Sequence, residues 1–447
     1  MTGNGNLQPG SGTNLDPWYD LYADRTAGLS VSEVRALFAV ASRPEVVSLA
    51  GGMPFVSGLP TDLISGAFEK VMRDEGPAAL QYGSGQGIPR LREHILEIMA
   101  IEGIRGSVDD VVVTTGSQHA LELVTKLFIN PGDVVLAEGP SYVTAMVVFK
   151  SFQAQVEHVA MDEHGLVPEA LRQRIAELKA EGKTLKFLYT IPSFSNPAGV
   201  TLTWERRLEI LEICRANDIL VLEDNPYGLL YFDGPPPQAM RSVEEDGVIY
   251  LGTFSKILSP GIRLGWAVAP PPVMEKIVLG KQAADLCTST LTQYFVREYF
   301  AEGRWRSYVE DLVEIYRRRR DTMLAALEEH FPAEARWTEP QGGLFIWATL
   351  PDYIDTGDLL AKALRADVAF VPGQAAYIGE RGQNSMRLNF SGVDADEIRE
   401  GIGRIGKVVA DQVDLYGALT GEQRLPPRAP VADPVADVLP FRKASEG

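Results

Sequence analysis

A single lysine set among small hydroxyl residues is the most reactive arrangement in this 447-residue chain. Residues 248–266 read VIYLGTFSKILSPGIRLGW, an apolar run and a glycine followed by Thr253, Ser255 and Lys256, with Arg263 seven positions on. The run over 248–251 predicts a buried strand, because continuous β-branched and aromatic residues suit strands covered on both faces. Lys256 then stands just past a strand edge, the place where open α/β sheets bind ligands. An amine beside hydroxyls and an arginine suggests a Schiff-base nucleophile next to an anion site. A solvated loop lysine is the alternative for any Ser-Lys pair taken alone.

Other stretches offer complementary chemistry. Asp224 follows the most apolar strand, residues 219–222, in the run EDNPY. A carboxylate buried there needs a partner. A protonated ring nitrogen, a helix N-terminus or an internal salt bridge would each serve. The strand at 111–115 turns through Gly116-Ser117-Gln118 into a helix carrying Ala120, Leu123, Val124 and Leu127. Free N–H groups and the positive helix end favour a phosphate at such a turn, with Ser117 and Gln118 adding donors. A plain serine-capped turn fits the same residues. Tyr142 sits beyond the strand at 133–136, where an aromatic ring can stack on a ligand. The proline-bounded turn at 192–199 aims the amide of Asn196. Gly51 and Gly52 permit close backbone approach to a ligand or to another chain.

Repeated strand and helix patterns position these groups. Strands are also predicted at 46–49, 155–159, 186–190 and 262–268, and helices at 63–72, 88–101, 168–179, 208–214, from 273 onward and through most of 290–331. Beyond residue 336 the pattern changes to strands at 336–350 and 386–390 with helices at 356–365 and 394–412, a small α+β unit. The four arginines at 317–320 read as a solvated helix face. Residues 1–16 read as a flexible arm, Ser30 or Ser32 could cap a helix ending before Pro44, and the prolines after 424 mark a tail.

Composition narrows the function classes. A net charge of −18 opposes a nucleic-acid footprint or an anionic membrane surface, since each needs concentrated positive charge. No apolar run approaches the roughly 20 residues of a membrane span. Cys214 and Cys287 are too few for a disulfide framework, and no signal-peptide pattern opens the chain, so a cytoplasmic location is expected. The five histidines show no metal-ligand spacing.

Nine collinear motifs then carry a resemblance: GGMP, QYGSGQG, TTGSQ, EGPSY, NPAG, EDNPY, GTFSKILSPGIRLGW, PQGGLFIW and MRLNFS. The chain resembles the class I/II aminotransferases of the pyridoxal-phosphate fold-type-I superfamily, nearest the 2-aminoadipate and kynurenine branch. The resemblance implies a large, mostly parallel α/β/α domain over 58–300 and a small domain over 301–417. It also implies an arm over 1–27, a segment over 28–57 packing on the small domain and a dimer partner, and a tail over 418–447. Lys256 resembles the lysine that holds pyridoxal 5'-phosphate, and Asp224 the partner of its ring nitrogen. Tyr227 and Asn196 resemble the ligands of its phenolic oxygen, and Tyr142 the stacking ring. Ser117, Gln118, Thr253, Ser255 and Arg263 resemble the phosphate ligands. Tyr82 resembles a tyrosine reaching the phosphate from a second subunit, which implies a homodimer with shared sites. Arg387 resembles the carboxylate clamp for an α-amino acid, with Gly52 and Asn196 beside it.

The implied reaction moves an amino group from an α-amino acid to a 2-oxo acid, with 2-oxoglutarate the expected acceptor. The same scaffold supports β- or γ-elimination, replacement and cyclisation. A regulator bearing a winged helix-turn-helix is a third class, for which residues 1–29 are too few and the charge too acidic. Ser195, Gly228, Cys287 and Ala376 depart from the pattern expected of this branch. The short Ser195 and Ala376 side chains predict a roomier or wetter substrate pocket.

Overall fold

The computed structural model describes residues 16, 18–28 and 43–421. The helix expected after Ser30 or Ser32, most of the arm and the proline-rich tail from residue 422 onward lie outside the described residues.

Strands β2 (Val111–Thr114), β3 (Val134–Gly139), β4 (Gln155–Asp162), β5 (Gly165–Leu166), β6 (Leu185–Thr190), β7 (Leu220–Asp224), β8 (Val248–Thr253) and β9 (Gly265–Val268) form one sheet in the order β2-β9-β8-β7-β6-β3-β4-β5. Neighbours from β8 to β4 run parallel, while β9 is antiparallel to β2 and to β8. Alternate residues of these strands pack against different helices, as the two-residue period requires. Val111, Val113, Tyr250 and Trp266 join a cluster with Leu91 and Ile95 of helix α2 (Pro89–Met99) and Phe295 of α8 (Thr290–Ala301). Val112, Ile249 and Ala267 instead join Ala120 and Leu123 of α3 (Ser117–Phe128). Both faces are therefore covered, which explains why the sequence shows unbroken apolar runs rather than alternation.

A second, antiparallel sheet has the order β10-β11-β14-β13, from Arg336–Trp337, Phe345–Thr349, Ser385–Asn389 and Val371–Pro372. Strand β1 (Val47–Ser48) pairs in parallel with β12 (Val368–Ala369), bringing the segment before Gly51 against this smaller unit. Helix α9 (Trp305–His330) lies against α11 (Ala395–Thr420), and Tyr316, Met323 and Leu327 of α9 share one core with Ile398, Ile402 and Ile405 of α11.

Several details differ from the sequence expectations. The helical stretch expected over 290–331 is two helices, separated at Gly303, which adopts φ +75°. Helix α11 continues to Thr420, past the expected start of the tail at 418. The arginines at 317–320 do not share one solvated face, because successive helical residues diverge by about 100°. Arg317 and Arg318 pair with Glu314 at the surface. Arg319 is buried, hydrogen-bonds to the Ser391 carbonyl and lies over the Phe55 ring, while Arg320 donates to the Pro340 carbonyl.

Candidate active site

Parallel pairing brings the C-terminal ends of β3, β6, β7 and β8 to one sheet edge. Asp224 is in register with Leu251, and Lys256 follows five residues later, so sequence-distant groups converge there. The Lys256 ammonium donates to the Gly52 carbonyl at 2.7 Å. Burial, with Arg387 and Arg263 nearby, pushes its pKa down from 10.5 to about 8. A substantial neutral fraction at physiological pH suits a nucleophile or general base.

Asp224 is buried, and burial raises its carboxyl to about 6 against the opposing hydrogen bond from Tyr189. The Tyr189 hydroxyl donates to Oδ2 at 2.8 Å, whereas Oδ1 is buried with no partner among the described residues. Neither a helix cap nor a salt bridge satisfies it. A buried carboxylate oxygen with a vacant lone pair is the acceptor that a protonated ring nitrogen requires.

Arg387, on β14, donates from Nη1 to Asn196 Oδ1 at 3.0 Å and from Nη2 to the carbonyls of Ala50 at 2.7 Å and Gly51 at 3.3 Å. Its guanidinium lies 4.5 Å from the Phe345 ring centroid, and its Nε is buried without a partner among the described residues. Burial lowers its pKa to about 10, so it remains a cation at neutral pH. Tyr227 packs edge-on to Phe345 and shares a hydrogen bond with Asn196, while burial holds its phenol protonated. Tyr142 occupies the N-cap of helix α4 (Val143–Ser151), within electrostatic reach of Asp224, Arg387 and Arg263.

The turn expected to cradle an anion lies at the start of α3. Gly116, at φ +78°, is its N-cap and supplies no side-chain cap, leaving the first helical N–H groups, at Ser117 and Gln118, without that partner. A Cβ on Gly116 would lie 2.8 Å from Arg263 Nη2, so glycine is required for the arginine to close over the turn. Arg263 reaches the carbonyls of Thr115 and Pro260, each at 3.4 Å, and keeps donors for an anion. Thr253 donates its hydroxyl to Ser255 at 2.9 Å, placing both hydroxyls at the C-terminal end of β8. Tyr82 is the outlier, 79% exposed on the loop preceding α2.

Tyr189 and Glu102 were not singled out in the sequence. Tyr189 lies within the strand run at 186–190, and only the pairing of β6 with β7 shows that it meets Asp224. Glu102 is buried and accepts from Tyr250 at 2.6 Å and Asn225 at 2.7 Å. It explains Gly228, because a Cβ at 228 would fall 1.6 Å from Glu102 Oε1. Ser195 and Ala376, expected to make a roomier or wetter pocket, are both buried. Each is 2% exposed, and Ala376 packs with Trp347, Ala198 and Met161.

Comparison with known proteins gives the family. Residues 51–405 match the family Aminotransferase class I and II. Aromatic-amino-acid aminotransferase 1 of Thermococcus litoralis is 41% identical, covering 88% of this chain and 94% of its own. The 2-aminoadipate transaminase of Thermus thermophilus is 36% identical, covering 88% of this chain and 97% of its own. The crystal structure of Pyrococcus horikoshii kynurenine aminotransferase, in complex with PMP, superposes with a TM-score of 0.85 at 39% identity, covering 90% of this chain and all of that one. A convergent lysine, aspartate, arginine and helix-end cradle on this fold, with that similarity over most of the length, place the chain in the class I and II aminotransferase family.

Proposed function

We propose that the protein uses pyridoxal 5'-phosphate, held by Lys256, to move the amino group of an α-amino acid to 2-oxoglutarate. The observation that carries the cofactor assignment is the unpartnered Asp224 Oδ1 at the same sheet edge as Lys256 and the α3 cradle. Asp224 would hold the ring nitrogen protonated, Tyr227 and Asn196 the phenolic oxygen, and Tyr142 the ring face. Ser117, Gln118, Thr253, Ser255 and Arg263 would hold the phosphate. When bound, the cofactor supplies the electron sink that makes the substrate Cα–H acidic.

The chain's own groups do the rest. Arg387 fixes the substrate carboxylate, orienting the Cα–H bond toward Lys256. The neutral Lys256 amine would take that proton and hold it as the general base, a role favoured by its lowered pKa. The relatives named for aromatic amino acids, kynurenine and 2-aminoadipate suggest a donor with a long side chain. Mixing purified holoenzyme with single amino acids tests the reading. Loss of the visible cofactor absorption with one amino acid, restored by 2-oxoglutarate, is expected. Product formation from the amino acid alone, with the absorption persisting, would instead mean elimination or replacement.

The exposed Tyr82 supports a homodimer with shared sites, since Leu80 and Leu286 on neighbouring segments are also exposed. Mixed dimers of Lys256→Ala and Tyr82→Phe chains should regain one complete site and exceed either parent in activity. The proposed division is a large domain over 58–300 and a small one over 301–417; of the segment at 28–57, residues 29–42 lie outside the described residues. Among the described residues no helix is long and apolar enough to cross a membrane, and a cytoplasmic location is proposed.

A further inference from the structure

The turn that would cradle the phosphate is held from behind by groups that the reaction itself does not use. Thr115, immediately before Gly116, has each of its hydrogen-bonding groups engaged from a different element. Its N–H donates to His119 Nδ1 on α3 at 3.3 Å. Its hydroxyl donates to Asp285 Oδ2 at 3.3 Å, at the end of helix α7 (Pro271–Asp285). Its carbonyl accepts from Arg263 Nη2 at 3.4 Å.

Asp285 is itself anchored. Its Oδ1 accepts from Lys281 at 2.9 Å, and the Lys281 side chain is 0% exposed. Burying an ammonium is costly, and a close carboxylate offsets that cost while being oriented by it. Because His119 Nδ1 accepts from Thr115, the ring carries its proton on Nε2. Asp285 Oδ2 stands 3.6 Å from Nδ1, with Lys281, Glu122 and Lys126 the other charges acting on the ring.

We propose that Lys281, Asp285 and His119 form a positioning relay that presents the turn at Thr115 and Gly116 in the shape that receives the cofactor's phosphate. The inference rests on the pyridoxal-phosphate reading above. The relay acts through Thr115 and touches no reacting atom. Its contribution is to cofactor affinity, through the phosphate and not through the ring.

The test compares binding of pyridoxal 5'-phosphate with that of pyridoxal, which lacks the phosphate, to cofactor-depleted full-length protein. His119→Leu removes the acceptor, Thr115→Val removes the hydroxyl, and His119→Asn keeps an acceptor oxygen near the Nδ1 position. For His119→Leu and Thr115→Val, pyridoxal-phosphate affinity should fall roughly 3- to 10-fold, the effect of one hydrogen bond. His119→Asn should restore most of it, and pyridoxal affinity should stay unchanged in all three. Unchanged pyridoxal-phosphate affinity in both loss variants overturns the relay, as does an equal loss for pyridoxal, which would mean general damage to the fold. Wild-type protein that fails to bind pyridoxal phosphate would instead remove the cofactor reading, and the relay with it.

Discussion

Replacing Arg387 by lysine keeps the positive charge and removes the planar fork, so it separates charge from geometry. A guanidinium carries five N–H donors. Three bonds are committed within the protein, to Asn196 Oδ1 and to the carbonyls of Ala50 and Gly51, and five less three leaves two for a substrate carboxylate. The Nε–H is one of these, buried and unpartnered. Hydrogen bonds to charged groups are each worth about 1.5–3 kcal/mol, and an ammonium placed here retains about one of the two. The expected loss is therefore about 1.5–3 kcal/mol, a fall in kcat/KM of roughly 10- to 150-fold. The assay measures kcat/KM with the preferred amino acid and with the corresponding amine lacking the carboxylate, and records Tm alongside. The amine should lose far less than the amino acid. An equal loss for both, or an Arg387→Lys enzyme within about threefold of wild type on the amino acid, refutes the clamp.

Three other outcomes follow from the same geometry. Gly228→Ala forces a Cβ onto the buried Glu102 carboxylate and should destabilise by about 3 kcal/mol, near the top of the range for overpacking; a thermal melt unchanged from wild type would contradict the packing. Asp224 has a folded-state pKa raised from 3.8 to about 6, so in cofactor-free protein its contribution to stability is present below 3.8 and is lost as the pH rises through about 6. Asp224→Asn should accordingly stabilise that form at pH 8 relative to wild type by roughly 1–3 kcal/mol and lose the advantage in acid, read by denaturant titration at each pH. The lowered Lys256 pKa predicts that capture of added pyridoxal phosphate by cofactor-free protein accelerates as the pH rises to about 8 and then levels, since the neutral amine is the nucleophile. A rate independent of pH between 6 and 9 would be inconsistent with that assignment.

Local chemistry was the most legible part of the chain. Glycine before Ser117, β-branched residues over 111–114 and 248–251, and the apolar spacing after Ser117 each act through backbone propensity within a few residues, so the strand, turn and helix appear close to where they were expected. Helix 356–365 coincides with α10 (Thr356–Arg365), where Asp355 accepts from two N–H groups of the first turn. The family motifs added the residues proposed to hold the cofactor and a substrate carboxylate, whose convergence no local pattern contains.

Tertiary pairing decided the remainder. Strand β9 reads like its neighbours in composition, yet it enters antiparallel, because strand direction depends on the connection and not on residue type. Arg319 and Arg320 look like surface charge until α9 meets Phe55, Phe232 and the carbonyls of Ser391 and Pro340. Gly228 looks like a free choice until Glu102, distant in sequence, fills the space beside it. The residue types capable of the chemistry, and the turns that expose them, were written in the linear chain, since a lysine amine or a helix N-terminus has its reactivity wherever it lies. The lowered pKa of Lys256, the vacant oxygen of Asp224 and the hold of His119 and Asp285 on Thr115 exist only when the folded chain brings their neighbours into contact and excludes water.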